Sequence, residues 1–153
     1  MKNIVAKYIS TFFGSGLLPK APGTWGTIAA VPLVYALNSA GPFWIMGFVI
    51  LFLPISVWAV SEYQKQLGGK QDPGEIVIDE VLGYAITMVW LPSTWQAYLL
   101  GFIAFRILDI TKPGPIGRLD RQVKGALGVM LDDVAAGIIG NIILQVIYYK
   151  TNW

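Results

Sequence analysis

The chain has 153 residues, which suits one domain, and 55% of them are hydrophobic whereas only 13% are charged. A soluble domain averages about 25% charged residues, so the composition favours a membrane protein. The net charge of +2 indicates no nucleic-acid partner, and the absence of cysteine and histidine excludes disulfides, thiolate or imidazole metal ligands and phosphohistidine chemistry.

Residues 1–24 combine lysines with a stretch rich in glycine and proline that leads into the first apolar region. They lack a full apolar core followed by a small-residue cleavage site, so no cleaved signal peptide is predicted. Glycines allow backbone N–H groups to approach an anion at a helix start, and Lys20, Thr24 and Thr27 add donors. A phosphate-binding turn and an ordinary loop at the membrane surface are both compatible with this composition.

Three stretches carry no charged residue: residues 21–61, 81–105 and 134–149. Gly41 and Pro42 interrupt the first stretch as a tight turn would, which predicts two helices over residues 25–40 and 43–60. The second of these spans about 27 Å, close to the roughly 30 Å of a hydrocarbon core, and the first is shorter. A last apolar helix is predicted over about residues 128–149.

The stretch 81–105 is compatible with one tilted crossing or with a shallow hairpin. Pro92 breaks it, and Ser93 or Thr94 could cap a second helix. A hairpin places residues 1–24, 62–80 and 106–127 on one face with every Lys and Arg except Lys150, and the positive-inside rule makes that face cytoplasmic. We favour the hairpin because it brings the acidic residues together.

The predicted fold is therefore an all-α compact helical bundle that forms a single domain over residues 1–153. It is predicted to be an integral membrane protein with three to four membrane-embedded helices or hairpins. The alternative is a very apolar soluble bundle, since buried helices of ordinary proteins can be apolar all round.

Acidic residues are few and cluster beside the apolar stretches. Asp79 and Glu80 open the third apolar region, Asp109 follows it, and Asp132 and Asp133 lie one turn inside the last helix. Such carboxylates cost several kcal/mol unless they are paired or bind a cation, and adjacent like charges repel. A hard cation such as Mg²⁺ would explain the pairs. The alternative is that both pairs are helix-start acids favoured by the macrodipole.

Two stripes at four-residue spacing run along the last helix. The first consists of small residues around one acid and permits close approach of another helix: Gly128, Asp132, Ala136 and Gly140. The second is polar and lies next to it: Asp133, Gly137, Asn141 and Gln145. Gly83, four residues after Asp79, would also permit close approach.

Residues 105–121 mix cations with prolines. Arg106 and Lys112 could bind phosphate, the arginine in bidentate fashion, or this could be a cytoplasmic loop attracted to anionic lipid headgroups. Cysteine- and histidine-based phosphatase chemistry is excluded by composition, and the chain has no DxDxT nucleophile motif. Phosphoryl chemistry based on carboxylates and a metal is what remains.

Four motifs in this order resemble the phosphatidylglycerophosphatase A family: FGSGLLPKAPGTWGT, DPGEIVIDEVLGYAIT, FRILDITKPGPIGRLDR and GALGVMLDDVAAGI. The resemblance extends over about residues 8–149. It implies a bacterial, Mg²⁺-dependent membrane enzyme that hydrolyses phosphatidylglycerophosphate to phosphatidylglycerol and phosphate, with an all-α fold. The chain departs from the family pattern at residues 114–117, where relatives often have bulkier or more basic residues, and near Lys124, where some have a histidine.

The residues and the resemblance together predict the site. The carboxylates expected to hold Mg²⁺ are Asp79, Glu80, Asp132 and Asp133. Asp109 is expected to be a further ligand or a neighbour of one, and these five are the predicted catalytic residues. The side chains expected to hold the phosphate are Lys20, Thr24, Arg106 and Lys112. An activated water, or alternatively an aspartate, would attack phosphorus.

The predicted location is the bacterial inner membrane, with the active face at the cytoplasmic headgroup level and the acyl chains of the phospholipid substrate in the bilayer. One alternative is a phosphatase of the same chemistry that acts on another phosphate ester. Another is a small non-enzymatic protein with an ion or proton pathway. Such a pathway should place ionisable groups near the midplane, whereas the acids here gather near helix ends.

Overall fold

The computed structural model describes residues 1–71 and 73–152, and over these residues it is helical and contains no strand. The predicted all-α fold is confirmed. The helices are α1 (Lys2–Ser10), α2 (Pro22–Ala40), α3 (Pro42–Gln66), α4 (Ile78–Thr87), α5 (Trp95–Thr111), α6 (Pro115–Gln122) and α7 (Gly125–Thr151), with a short 3₁₀ turn at Ser15–Leu17.

The first apolar region forms two helices joined at the predicted turn. Gly41 links α2 to α3 with φ of 128°, a backbone conformation that favours glycine, and Pro42 occupies the first position of α3. Helix α3 continues six residues beyond the predicted end because its last turns are amphipathic: Tyr63 and Gln64 are buried while Glu62 and Lys65 form an ion pair at 3.3 Å.

The second apolar region is a helical hairpin, as predicted. Helices α4 and α5 are separated by a turn, and the Thr94 hydroxyl accepts a hydrogen bond from the Ala97 amide at 3.3 Å. Thr94 rather than Ser93 is therefore the cap. The last turns of α5 return to the first turn of α4, where Arg106 lies 3.7 Å from Glu80.

Helix α7 packs most closely on α4, where two glycines meet. A Cβ atom on Gly137 would overlap the Gly83 carbonyl oxygen, and one on Gly83 would lie 2.8 Å from the Asp133 carbonyl oxygen. Both positions must therefore be glycine for the helix backbones to approach this closely. The predicted close approach at Gly83 is confirmed, but the meeting residue on α7 belongs to the polar stripe.

The rest of that polar stripe binds the carboxyl end of α4. The Asn141 side chain donates hydrogen bonds to the carbonyl oxygens of Thr87 and Val89 at 2.9 and 2.7 Å, and Gln145 donates to the Val89 carbonyl at 3.0 Å. These carbonyls have lost their helical partners at the end of α4. Amides within the apolar stretch 134–149 thus complete the backbone hydrogen bonding of the hairpin turn.

The outer surface of the bundle is unusually apolar. Helices α3 and α7 are each long and apolar enough to cross a membrane, judged by length and composition. In the most apolar window of α3 only 22% of the residues are buried, whereas the core helix of a soluble protein would be mostly buried. Exposed aliphatic side chains occur along α3, α5 and α7: Ile50, Leu51, Leu99, Ile103, Ile142 and Val146. This surface indicates a membrane protein rather than a soluble bundle.

Exposed aromatic side chains lie toward both ends of the bundle. At the end with the α2–α3 and α4–α5 turns they include Phe43, Trp44, Trp90 and Trp95. Toward the opposite end they are Tyr8, Phe13, Trp25 and Trp58. Along α3, Trp44 and Trp58 are separated by about 21 Å at 1.5 Å per residue. Aromatic belts with an aliphatic band between them are typical of proteins at the two membrane interfaces.

Candidate active site

A cavity of about 440 Å³ opens at the charged end of the bundle. The first turn of α2, the amino ends of α4 and α7 and the carboxyl end of α5 surround it, together with residues of α6 and the segment before α7. Seven of the nine predicted site residues line it: Asp79, Glu80, Arg106, Asp109, Lys112, Asp132 and Asp133. The prediction that the acidic residues of three separate segments share one face therefore agrees with their observed positions.

Three carboxylates meet on one side of the cavity, and we call Asp79, Glu80 and Asp133 the acidic cluster. One oxygen atom of each lies within 4.8 Å of the others, as a shared cation would require. Asp79 and Asp133 are 8% and 3% exposed, and the Glu80 side chain is 14% exposed. Glu80 Oε2 and Asp133 Oδ2 are buried without a hydrogen-bond partner among the described residues. This arrangement can hold a hard divalent ion.

Arg106 is the cation next to the acidic cluster. Its guanidinium contacts the Asp109 carboxylate and lies 3.7 Å from Glu80 Oε1. The pKa of Glu80 is raised to about 7, mainly by burial. A hydrogen bond with Asp79 lowers this pKa, the nearby Asp109 raises it, and the nearby Arg106 lowers it. This side of the cavity therefore contains four carboxyl groups and one guanidinium.

The backbone of the first turn of α2 covers Glu80 and Arg106. A Cβ atom on Gly23 would overlap Glu80 Oε1 and lie 3.0 Å from Arg106 Nη1. Ala21, Pro22 and Gly23 line the cavity, whereas Lys20 and Thr24 are not among its lining residues. Lys20 is exposed and has φ of 58°, and Thr24 is half-buried on α2. The structure therefore does not bring Lys20 and Thr24 together with the other predicted residues.

Lys112 organises the other side of the cavity, and we call Lys112, Asp120 and Asp132 the Lys112 cluster. Its ammonium donates to Asp120 Oδ1 at 2.6 Å and also contacts Asp132 Oδ2. Burial lowers the pKa of Lys112, but the hydrogen bonds to Asp120 and Asp132 outweigh it and the net shift is upward. The same bond lowers the pKa of Asp120. Lys112 and Asp120 therefore stay charged through neutral pH.

The neighbouring acids of α7 consequently have different partners. Consecutive residues of a helix point about 100° apart, so Asp133 faces α4 and the acidic cluster while Asp132 faces Lys112. The predicted metal-ligand set included both. The structure brings three of those four carboxylates together and places the fourth, Asp132, against a lysine.

Asp120 and Lys124 line the cavity but are not among the predicted site residues, although Asp120 lies in the third family motif. Asp120 forms an ion pair with Lys112, which lies eight residues earlier in the chain. A turn of proline and glycine separates the two residues, so helical spacing does not predict this pair. Lys124 lines the cavity at the N-cap position of α7 and donates to the Asp120 carbonyl oxygen at 3.3 Å. Its signal in the sequence was the departure from the family pattern near this position, where some relatives have a histidine.

Comparison with known proteins gives consistent matches. The family model "Phosphatidylglycerophosphatase A" matches residues 8–148. Phosphatidylglycerophosphatase A of Escherichia coli is 42% identical over 137 residues, which cover 88% of this chain and 78% of that protein. The protein of the same name from Haemophilus influenzae is 37% identical, covering 90% of this chain and 85% of that protein.

A third relative has a different name. A Bacteroides thetaiotaomicron protein, provisionally named a phosphatidylinositol-3-phosphatase, is 36% identical over 146 residues, which cover 90% of each chain. No solved structure matches this chain.

Proposed function

This chain belongs to the phosphatidylglycerophosphatase A family, and we propose that it hydrolyses the phosphomonoester of phosphatidylglycerophosphate to phosphatidylglycerol and phosphate with the aid of Mg²⁺. The family makes it a phosphoric monoester hydrolase. The observation that supports the role of the metal most directly is the acidic cluster, where two buried carboxylates and a partly buried one converge.

The charges around the acidic cluster support a divalent cation. Arg106 contacts Glu80 and Asp109, and Asp79 and Asp133 lie beside Glu80, so four carboxyl groups gather around one guanidinium. A phosphate monoester brings further negative charge. Asp79, Glu80 and Asp133 would hold the ion, and a bound Mg²⁺ supplies charge neutralisation at the phosphoryl group. Asp132 would contribute through Lys112 instead.

Lysines of the cavity are suited to bind phosphate oxygens. An ammonium group has three donors, and Asp120 and Asp132 engage two of those of Lys112, which leaves one for the substrate. The two carboxylates also fix the position of the ammonium before substrate arrives, so binding phosphate requires little reordering. Arg106 would act mainly by holding Glu80 and Asp109 in place.

The charge distribution supports a location for the cavity. Every Lys and Arg except Lys150 lies in segments at the end of the bundle that carries the cavity. We propose that this end is the cytoplasmic face of the bacterial inner membrane, as the positive-inside rule favours. The phosphomonoester would enter the cavity at headgroup level while the acyl chains stay in the bilayer. An ion pathway is disfavoured because residues 21–61, 81–105 and 134–149 contain no charged residue.

Phosphate release from detergent-solubilised phosphatidylglycerophosphate tests the proposal. The purified protein should release phosphate with Mg²⁺, lose this activity in excess EDTA and regain it when Mg²⁺ is restored. Full activity after exhaustive chelation would exclude the metal. Phosphatidylinositol 3-phosphate should be assayed in parallel because one relative is named for that activity. A higher kcat/KM on the inositol lipid would make that second candidate the better assignment.

A further inference from the structure

The first helix exposes an apolar arc that the rest of the molecule does not cover. Ile4, Val5 and Tyr8 are 62%, 46% and 55% exposed, and their spacing places them along one side of α1. Ala6 and Ser10 lie on a different side, where α1 packs against the protein. The short helix is therefore attached by one side while a second, apolar side faces outward.

The chain after α1 extends this apolar surface through a strained bend. Phe12 and Phe13 have φ of 41° and 56°, a left-handed conformation that bulky residues rarely adopt. The bend directs the Phe13 ring outward, where it is 79% exposed, and Leu17 and Leu18 follow at 49% and 46%. Strain at two consecutive aromatic residues is typical of a functional segment.

The charged side chains of this N-terminal segment are all positive. Lys2, Lys7 and Lys20 are exposed, and no described residue forms an ion pair with them. The first acidic residue of the chain is Glu62, so the segment has no acid of its own to balance them. Exposed lysines beside aromatic and aliphatic side chains match a leaflet of anionic phospholipids.

The surface is joined firmly to the end of the bundle that carries the cavity. Gln66 donates to the Asn3 carbonyl at 3.2 Å, and the Val77 amide donates to the Ser10 carbonyl at 2.9 Å. Gly16 packs directly on the backbone of Glu75, where a Cβ atom would overlap the carbonyl oxygen. The chain then enters α2, whose first residues line the cavity. Its position relative to the cavity mouth is thus fixed.

We propose that Ile4, Val5, Tyr8, Phe13, Leu17 and Leu18, which we call the N-terminal surface, lie in the headgroup region of an anionic leaflet and hold the cavity mouth at headgroup level. Lys2 and Lys7 contact anionic headgroups beside it. The choice of the cytoplasmic leaflet rests on the proposed function, whereas the preference for anionic lipid is inferred from the exposed apolar and lysine side chains themselves. The lipid would be that of the bilayer in which the bundle is embedded.

Depth-dependent quenching tests the placement directly, because the chain contains no cysteine. Single-cysteine variants Tyr8→Cys and Phe13→Cys are labelled with an environment-sensitive fluorophore in nanodiscs that contain phosphatidylglycerol. Lipids with a doxyl group near the headgroup should quench both probes at least about twofold more strongly than they quench a probe at a water-exposed control position. Lys70→Cys, at an exposed position of the loop after α3, is the control and should be quenched by aqueous iodide. Equal iodide access at Phe13 and Lys70 would overturn the proposal.

A second measurement separates this surface from the chemistry. The variant Phe13→Ser should slow hydrolysis of long-chain phosphatidylglycerophosphate in anionic vesicles by roughly three- to tenfold, a loss of about 0.7–1.4 kcal/mol. It should leave hydrolysis of a short-chain, water-soluble analogue unchanged. Phe43→Ser is the control, since Phe43 is 77% exposed at the opposite end of the bundle. Equal loss on both substrates, or on neither, counts against the N-terminal surface. An inactive parent protein would overturn the proposed function alone, because the quenching result does not depend on turnover.

Discussion

The two sides of the cavity differ in how their buried carboxylates are neutralised. In the Lys112 cluster, the protein supplies the cation, and the ammonium of Lys112 contacts both Asp120 and Asp132. In the acidic cluster, Glu80 Oε2 and Asp133 Oδ2 are buried without a hydrogen-bond partner among the described residues, and the nearest guanidinium is shared with Asp109. Asp132 and Asp133 are adjacent in sequence, yet each belongs to a different side.

This difference indicates which carboxylates would bind the proposed Mg²⁺. A side that already contains its counter-ion gains little from a metal, whereas a side with an excess of buried carboxylates is stabilised by one. We therefore expect the acidic cluster to determine metal dependence and the Lys112 cluster to determine how firmly phosphate is held. Each prediction below tests whether the two sides can be separated in this way.

The largest effect is expected for Asp133→Asn. It removes one carboxylate of the acidic cluster and keeps the side-chain volume, so phosphate release should fall at least about a thousandfold, or roughly 4 kcal/mol of transition-state stabilisation. The melting temperature without metal should hold or rise, because repulsion between like charges is relieved. Added Mg²⁺ should stabilise the parent protein and hardly affect the variant. Near-normal turnover together with an unchanged response to Mg²⁺ would remove the acidic cluster as the metal site.

Asp132→Asn should have a smaller effect of a different kind. It weakens the hold on Lys112, so turnover should fall roughly ten- to a hundredfold while added Mg²⁺ still raises the melting temperature. Lys112→Gln should behave similarly. In a double-mutant cycle the two changes should be strongly non-additive, because the second removes a contact that is already lost. Additive losses, or loss of the response to Mg²⁺ in Asp132→Asn, would mean that the two sides act as one.

Gly23→Ala should disturb the acidic cluster without touching a carboxylate. The added methyl group would overlap Glu80 Oε1 and crowd Arg106, so turnover should fall by about five- to twentyfold. Gly47→Ala is the matched control, since nothing lies within 4 Å of the Cβ it would add. In a helix this control should be neutral or stabilising by up to about 1 kcal/mol. Equal activity of the two variants would show that the α2 backbone does not position Glu80.

The smallest effect concerns pH and the metal-free protein. Burial raises the pKa of Glu80 from 4.5 to about 7, so the folded protein binds a proton there more strongly than the unfolded chain does. This contribution to stability is fully present below about pH 4.5 and is lost as the pH rises through about 7. Melting temperatures in EDTA should therefore fall across this window, and Glu80→Gln should flatten the trend. With Mg²⁺ present the trend should weaken or reverse, since the ion binds the ionised form.

Much of the fold could be predicted from the charge-free stretches and the helix-breaking residues alone. Charge-free stretches marked the apolar helices, and Gly41 and Pro42 marked the turn between α2 and α3. The break before Thr94 separated α4 from α5, and this hairpin brought the acidic segments to one end. Helix ends were less predictable. Helix α3 continues to Gln66 because its last turns bury one side against the protein, and the positions of charged residues alone do not predict this burial.

The sequence by itself determined the chemical type of the candidate site. Without cysteine or histidine its ligands must be oxygen atoms, and the acids could occur only where the apolar stretches end. The tertiary structure alone decided the partners: Asp133 turns to α4, Asp132 to Lys112, and the backbone at Gly23, rather than Lys20 or Thr24, covers Glu80. The reason is geometric. Composition and spacing specify which groups cannot stay unpaired, but the rotation and close packing of helices determine which group each one meets.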